Sequence, residues 1–83
     1  MKEFLYFSAD WCAPCKQLSP IMEQINQEGM LVRKINVDTN SQLAAQYQVK
    51  SIPTVILLKF GNEVGRKVGN SNKIWYINMW QSN

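Results

Sequence analysis

The 83-residue sequence contains no histidine and only two cysteines, and this scarcity restricts its metal chemistry. A structural zinc ion is usually held by four cysteine or histidine side chains. Zinc would therefore need carboxylates or a second chain, and we expect no metal site. The shortage of cysteine also argues against a framework of structural disulfides, which is typical of secreted domains with more cysteines.

The sequence also has no apolar run of the length needed to cross a membrane and no dense block of basic residues. Its net charge of +3 comes from scattered lysines and arginines, so we expect neither nucleic acid nor membrane as a partner. The N-terminus enters a strand pattern directly and includes an acidic residue, so we expect no signal peptide. The simplest location is a reducing cytoplasm, where a cysteine pair is expected to be catalytic rather than structural.

The two cysteines, Cys12 and Cys15, lie where a strand pattern gives way to a helix pattern. The first turn of a helix has unpaired N–H groups and a partial positive charge, and both favour a thiolate over a thiol. Two intervening residues also place the second sulfur within disulfide reach of the first. The pair therefore predicts a redox-active dithiol.

The hydrophobic pattern predicts one domain over residues 1–83 with the element order β-α-β-α-β-β-α. The first helix is expected to continue through Pro20 with a kink, because its apolar period does so. The predicted strands cover residues 2–8, 31–37, 54–58 and 63–68, and the first two helices cover residues 12–28 and 40–48.

The second and third helices are each predicted to have an apolar face. The second has cap candidates at residues 38–40 and its apolar face consists of Leu43, Ala44 and Tyr47. The last is predicted to begin at a cap on Asn70 or Ser71. Its expected core face consists of Ile74, Ile77 and Trp80, widened by Trp75 and Met79.

The segment Trp11-Cys12-Ala13-Pro14-Cys15-Lys16 resembles the active site of the thioredoxin family, with Ala13 where most members carry glycine. The likeness continues through residues 34–38, Ile52-Pro53-Thr54 and Gly69, and so covers nearly the whole chain. It implies an α/β, thioredoxin-like fold with a four-stranded mixed sheet, in the order second, first, third, fourth strand, flanked by three helices. Most members carry a further strand and helix at the front; we expect this chain to lack them, which leaves residues 31–37 at a sheet edge.

The resemblance implies a thiol–disulfide oxidoreductase that reduces protein disulfides. Cys12 is then the exposed nucleophile and Cys15 the more buried resolving thiol, and their redox-active disulfide needs no other cofactor. A thioredoxin reductase is the expected recycling partner, and we expect a monomer. Two alternatives stay open: a glutaredoxin-like, glutathione-dependent reductase, and a non-catalytic binding subunit with the same fold.

The resemblance further implies a shallow apolar substrate groove lined by Trp11, Ile52, Pro53 and Gly69, with a cis bond before Pro53. Pro14, Tyr6 and Lys34 are supporting residues, although Lys34 also fits a solvated charge at the sheet edge.

Tyr6 stands where most members have a buried aspartate that is thought to accept the proton of the resolving thiol. A buried tyrosine is neutral and a poor proton acceptor. We therefore expect resolution to be slower and more pH-dependent, with the proton passing to bulk water or to a water near Lys34.

Overall fold

The computed structural model describes all 83 residues and has the predicted order of elements. None of its helices combines the length and apolar character that spanning a bilayer requires. The strands are β1 (Lys2–Ser8), β2 (Val32–Asn36), β3 (Thr54–Lys59) and β4 (Asn62–Val68), and the helices are α1 (Ala13–Gln27), α2 (Ser41–Gln46) and α3 (Lys73–Ser82).

The four strands form one mixed sheet in the order β2-β1-β3-β4, which confirms the predicted fold. β1 pairs parallel with β2 and antiparallel with β3. β1 lies inside the sheet because it is apolar on both faces: Phe4 and Tyr6 pack in one core cluster, and Leu5 and Phe7 pack in another. The first cluster contains residues of α1 and α3, and the second contains Ala44 of α2. This arrangement brings the carboxyl ends of β1 and β2 together at one edge.

Helix α1 begins directly after Cys12, which is its N-cap, and continues through Pro20 as predicted. Its buried residues recur at helical spacing and face the sheet. The helix ends before Gly29, whose φ of 92° lies in the left-handed region that glycine adopts easily. The dithiol is therefore held by a helix that is well anchored in the core.

Helix α2 has the predicted apolar face, since Ala44 is buried and both Leu43 and Tyr47 pack against the same cluster. It is shorter than predicted and ends before Gln48, where φ is 54°. Its N-cap is Asn40, but no side chain caps the helix through a hydrogen bond.

The predictions for α3 were wrong in two respects. Its N-cap is Asn72, whose side chain accepts a hydrogen bond from the Trp75 N–H at 2.9 Å, rather than Asn70 or Ser71. Its fully buried residue is Tyr76, whereas Ile74 is 61% exposed. The apolar residues of this helix are distributed around its whole circumference, so their spacing does not indicate which face is buried. The contact of Tyr76 with Phe4, whose rings meet edge to face, fixes the face that is buried.

Candidate active site

The two cysteines form a disulfide at the start of α1, with their Cα atoms 5.3 Å apart. Cys12 Sγ also accepts a hydrogen bond from the Cys15 backbone N–H at 3.2 Å. This N–H is one of the helix-start donors that lack a partner within the helix. In the reduced protein the same donor and the helix dipole would stabilise a Cys12 thiolate.

The prediction that Cys12 is exposed was wrong, because only 4% of its surface is accessible in this disulfide form. Ala9 and Cys15 form a small apolar cluster with it, and Val37 and Ile52 pack against that cluster. The covering residues come from distant parts of the chain, so the local pattern around Cys12 could not reveal them. Cys15 is 2% exposed and is the more buried of the two by a small margin.

A groove of about 390 Å³ lies beside the disulfide, and Trp11 and Ile52 form part of its lining. Trp11 is 69% exposed, and its indole N–H donates to the Asp38 carboxylate at 2.9 Å. That bond fixes the orientation of an otherwise free aromatic ring at the carboxyl end of the sheet. The remaining lining residues are Val37, Val49, Lys50 and Ser51.

Pro53 is buried and follows a cis peptide bond, as the resemblance implied. Gly69 donates its backbone N–H to the Pro53 carbonyl at 2.8 Å, and its φ of 85° requires the conformational freedom of glycine. Neither residue lines the groove of Trp11 and Ile52. Because Ile52 is bonded directly to Pro53, the Pro53–Gly69 pair adjoins the groove of Trp11 and Ile52 at that residue.

Tyr6 lies behind Cys15, as its position in β1 predicts. Its hydroxyl donates to the Cys15 backbone carbonyl at 2.8 Å and lies 2.9 Å from Ser19 Oγ. Ser19 Oγ donates to the same carbonyl at 3.0 Å. Burial raises the pKa of the Tyr6 hydroxyl, and hydrogen bonds with the Ser19 and Ser8 side chains lower it in part. Tyr6 is therefore a neutral hydrogen-bond donor that holds the helix backbone at Cys15.

Lys34 lies on the edge strand β2, directly opposite Tyr6 in the register of the sheet. Its ammonium group is 5.9 Å from the centre of the Tyr6 ring, and the residue is otherwise exposed. It also borders a polar cavity of about 280 Å³, here called the Cys15 pocket. The residues that line the Cys15 pocket are Ser8, Ala9, Asp10, Cys15, Lys16, Ser19 and Lys34.

Three polar residues that support the site were not identified from the sequence. Ser19 stands four residues after Cys15 on α1, which is the helical spacing that brings its hydroxyl to the Cys15 carbonyl. Asp38 follows β2 and was considered only as a helix cap. Asn70 donates its side-chain amide to the Pro14 carbonyl at 3.1 Å, which ties the segment after β4 to the start of α1; no sequence signal indicates this contact.

No group of three or more cysteine, aspartate or glutamate residues is arranged to hold a metal ion. The chemistry of the site is carried by the Cys12–Cys15 disulfide, which can accept two electrons and become a dithiol. Its surroundings supply backbone N–H groups, an apolar groove on one side and a polar pocket on the other.

Comparison with known proteins places these features in a family context. Residues 2–79 match the family described as thioredoxin. The thioredoxin of Chlamydia pneumoniae is 48% identical over 75 residues, which cover 88% of this chain and 74% of that protein. The bifunctional thioredoxin reductase/thioredoxin of Mycobacterium leprae is 46% identical over 70 residues, covering 81% of this chain and 15% of that protein. The structure of a mutant thioredoxin from Halobacterium salinarum superimposes with a TM-score of 0.93 at 34% identity, covering 98% of this chain and 73% of that one.

Proposed function

Because the chain belongs to the thioredoxin family and is a thiol–disulfide oxidoreductase, we propose that it reduces disulfide bonds in other proteins with Cys12 as the nucleophile. The observation that carries this assignment is the hydrogen bond from the Cys15 N–H to Cys12 Sγ at the start of α1. It singles out Cys12 as the sulfur whose anion is stabilised, and thiolates rather than thiols attack disulfides.

The reaction consists of two exchanges. The Cys12 thiolate attacks one sulfur of the substrate disulfide, forming a mixed disulfide and releasing the other substrate sulfur as a thiolate. Cys15 then loses its proton and attacks Cys12 Sγ, which releases the second substrate thiolate and leaves the Cys12–Cys15 disulfide. Two electrons have passed to the substrate, and a further dithiol must return two electrons to the protein.

We assign substrate contact to the surface around the disulfide. Trp11 and Ile52 offer apolar area beside Cys12, while Pro53 and Gly69, joined by their backbone hydrogen bond, form the adjoining side. A shallow apolar surface of this kind suits an extended protein segment better than a small polar molecule. Tyr6 and Pro14 take supporting roles, Tyr6 at the Cys15 carbonyl and Pro14 through the bond from Asn70.

The electron donor on this proposal is a thioredoxin reductase. The Mycobacterium leprae relative, in which a thioredoxin reductase and a thioredoxin are parts of one protein, supports this pairing. A reducing compartment such as the cytoplasm suits a protein that must be returned to its dithiol form. Exposed Arg33 and Lys34 on the edge strand oppose strand addition by a second copy, in keeping with a monomer.

The test measures reduction of the insulin disulfides with electrons supplied either by NADPH and thioredoxin reductase or by NADPH, glutathione and glutathione reductase. We expect turnover in the first system alone. The Cys15→Ser variant should stop at a mixed disulfide that is visible by mass spectrometry, and the Cys12→Ser variant should form none. Turnover only with glutathione would support a glutaredoxin-like enzyme, and no reduction in either system would indicate a binding subunit.

A further inference from the structure

The resolving step requires Cys15 to give up a proton, and the residue directly behind it is not suited to take it. The Tyr6 hydroxyl donates its hydrogen to the Cys15 backbone carbonyl at 2.8 Å. Burial keeps this hydroxyl in its neutral form. A neutral hydroxyl that already donates its hydrogen to the backbone does not accept the proton of the Cys15 thiol, so another acceptor is needed.

The Cys15 pocket borders Cys15 on a side that Tyr6 does not line. Its volume of about 280 Å³ is enough for several water molecules, since each occupies about 30 Å³ in the liquid. Ser8 and Ser19 belong to its lining, and because the Ser19 hydroxyl donates its hydrogen to the Cys15 carbonyl, its oxygen can only accept a hydrogen bond from such a water. The pocket is therefore a place where water can contact Cys15.

Asp10, in the turn that leads from β1 to Trp11, is the only acidic residue among those that line the Cys15 pocket. The charged or titratable groups that face Cys15 are Tyr6 from β1, Asp10 from this turn, Lys16 on α1 and Lys34 from β2. The two ammonium groups have no lone pair to offer and instead favour negative charge in the pocket. Asp10 is thus the group in this set that can receive a proton.

Glu23 is a comparable acidic residue in the neighbouring surface. It lines an adjacent cavity that shares Tyr6, Ser19 and Lys34 with the surroundings of Cys15 but does not include Cys15 itself. Both Asp10 and Glu23 are exposed and neither makes a hydrogen bond or an ion pair through its side chain. They differ in whether Cys15 lines their pocket, which makes Glu23 a matched control.

We propose that Asp10 receives, through water in the Cys15 pocket, the proton that Cys15 loses in the resolving step, an inference that rests on the two-exchange reaction proposed above. The Cys15 thiol passes its proton to a pocket water, which gives a proton to the Asp10 carboxylate. Cys15 Sγ then forms its bond with Cys12 Sγ as the bond from Cys12 to the substrate sulfur breaks. The substrate sulfur leaves with the electron pair, and protonated Asp10 returns its proton to solvent.

The experiment follows the reduced protein mixed with 5,5′-dithiobis(2-nitrobenzoic acid) in a stopped-flow instrument. Attack by Cys12 releases one thionitrobenzoate, and attack by Cys15 on the mixed disulfide releases a second. In Asp10→Asn we expect the first release to be no slower and the second to slow by about tenfold at pH 7, a modest part of the usual effect of general bases. Asp10→Glu should restore the rate, added imidazole should accelerate Asp10→Asn, and the difference should disappear at strongly alkaline pH.

The Glu23→Gln variant removes the same charge beside the adjacent cavity and should resolve at the wild-type rate. If Asp10 acted only through its charge, Asp10→Asn would favour the Cys15 thiolate and speed the second release. An unchanged or faster second release in Asp10→Asn overturns the proposal, as does a slower one in Glu23→Gln. Failure of the two-exchange reaction would be distinguishable, because the wild-type protein would then also fail to release the second thionitrobenzoate.

Discussion

The two fully buried tyrosines allow a matched test of how hydrogen bonding supports this fold. Tyr6 and Tyr76 are about equally inaccessible, at 1% and 0% exposure. The Tyr6 hydroxyl is bonded to the Cys15 carbonyl and approaches Ser19 Oγ. The Tyr76 hydroxyl makes no hydrogen bond of good geometry, although the Ser71 backbone is close enough to lower its pKa in part. Replacing each by phenylalanine removes the same atom from the same kind of environment, so we expect the two changes to have opposite effects.

The change in the free energy of unfolding depends on whether each substitution leaves a buried polar group without a hydrogen-bond partner. In Tyr6→Phe the Cys15 carbonyl keeps its bond from Ser19 Oγ at 3.0 Å, so no buried acceptor is left unpaired. The loss should then equal the net value of an ordinary hydrogen bond, about 1 kcal/mol. An unpaired buried hydroxyl costs about 1–3 kcal/mol, and Tyr76→Phe removes that cost. We therefore expect Tyr76→Phe to stabilise the protein by about 1 kcal/mol.

Urea denaturation at pH 7 without reductant measures both free energies of unfolding while the disulfide stays closed. In thermal melts each change of about 1 kcal/mol should move the midpoint by about 4–8 °C for a chain of this size. Tyr47→Phe is the control, because this half-buried tyrosine makes no hydrogen bond through its hydroxyl and should change stability by less than about 0.5 kcal/mol. If Tyr76→Phe lost as much stability as Tyr6→Phe, the Tyr76 hydroxyl would have a partner and the reasoning would be refuted.

Three further predictions concern pH, packing and thiol reactivity. Burial raises the pKa of both buried tyrosines, so the stability that comes from keeping them neutral is complete below about pH 10 and is lost as the pH rises through the raised pKa values. Melting curves at alkaline pH should show this loss of stability, and the loss should be smaller in Tyr76→Phe. A Cβ on Gly65 would lie 2.6 Å from Sδ of the flexible Met79 side chain, so Gly65→Ala should cost at most about 1 kcal/mol in urea melts. An equal cost in a Met79→Ala background would contradict this cause. In the reduced protein iodoacetamide should modify Cys12 before Cys15 at neutral pH, and peptide mapping that found Cys15 modified first would reverse the assigned roles.

The sheet and the first helix could be predicted from the sequence because their signals are local and consistent. β1 is apolar on both faces, which indicates a central strand, and it has the predicted bounds. The start of α1 follows from the cysteine spacing and from Pro14, which fits the first turn of a helix. In these segments propensity, periodicity and tertiary packing favour the same structure, so the bounds of α1 differ from the prediction by one residue at each end.

The third helix and the burial of Cys12 depend on contacts that the sequence does not display. The apolar residues of α3 lie on all sides of the helix, so their pattern does not indicate the buried face. That face is determined by the packing of Tyr76 against Phe4 and of Met79 against Gly65. Cys12 is covered by Val37 and Ile52, which only the folded sheet brings to it. Both errors arise from partners that are distant in the sequence.

The position of Tyr6 was predictable, but its hydrogen bonds were not, and they affect both stability and chemistry. A carboxylate at this buried position would need to be desolvated, which is costly without a partner. The tyrosine avoids that cost and gains hydrogen bonds at the Cys15 carbonyl and Ser19. The same replacement removes a buried proton acceptor from behind Cys15. On our proposal the proton of Cys15 then leaves through the Cys15 pocket, in which Asp10 is the only acidic residue.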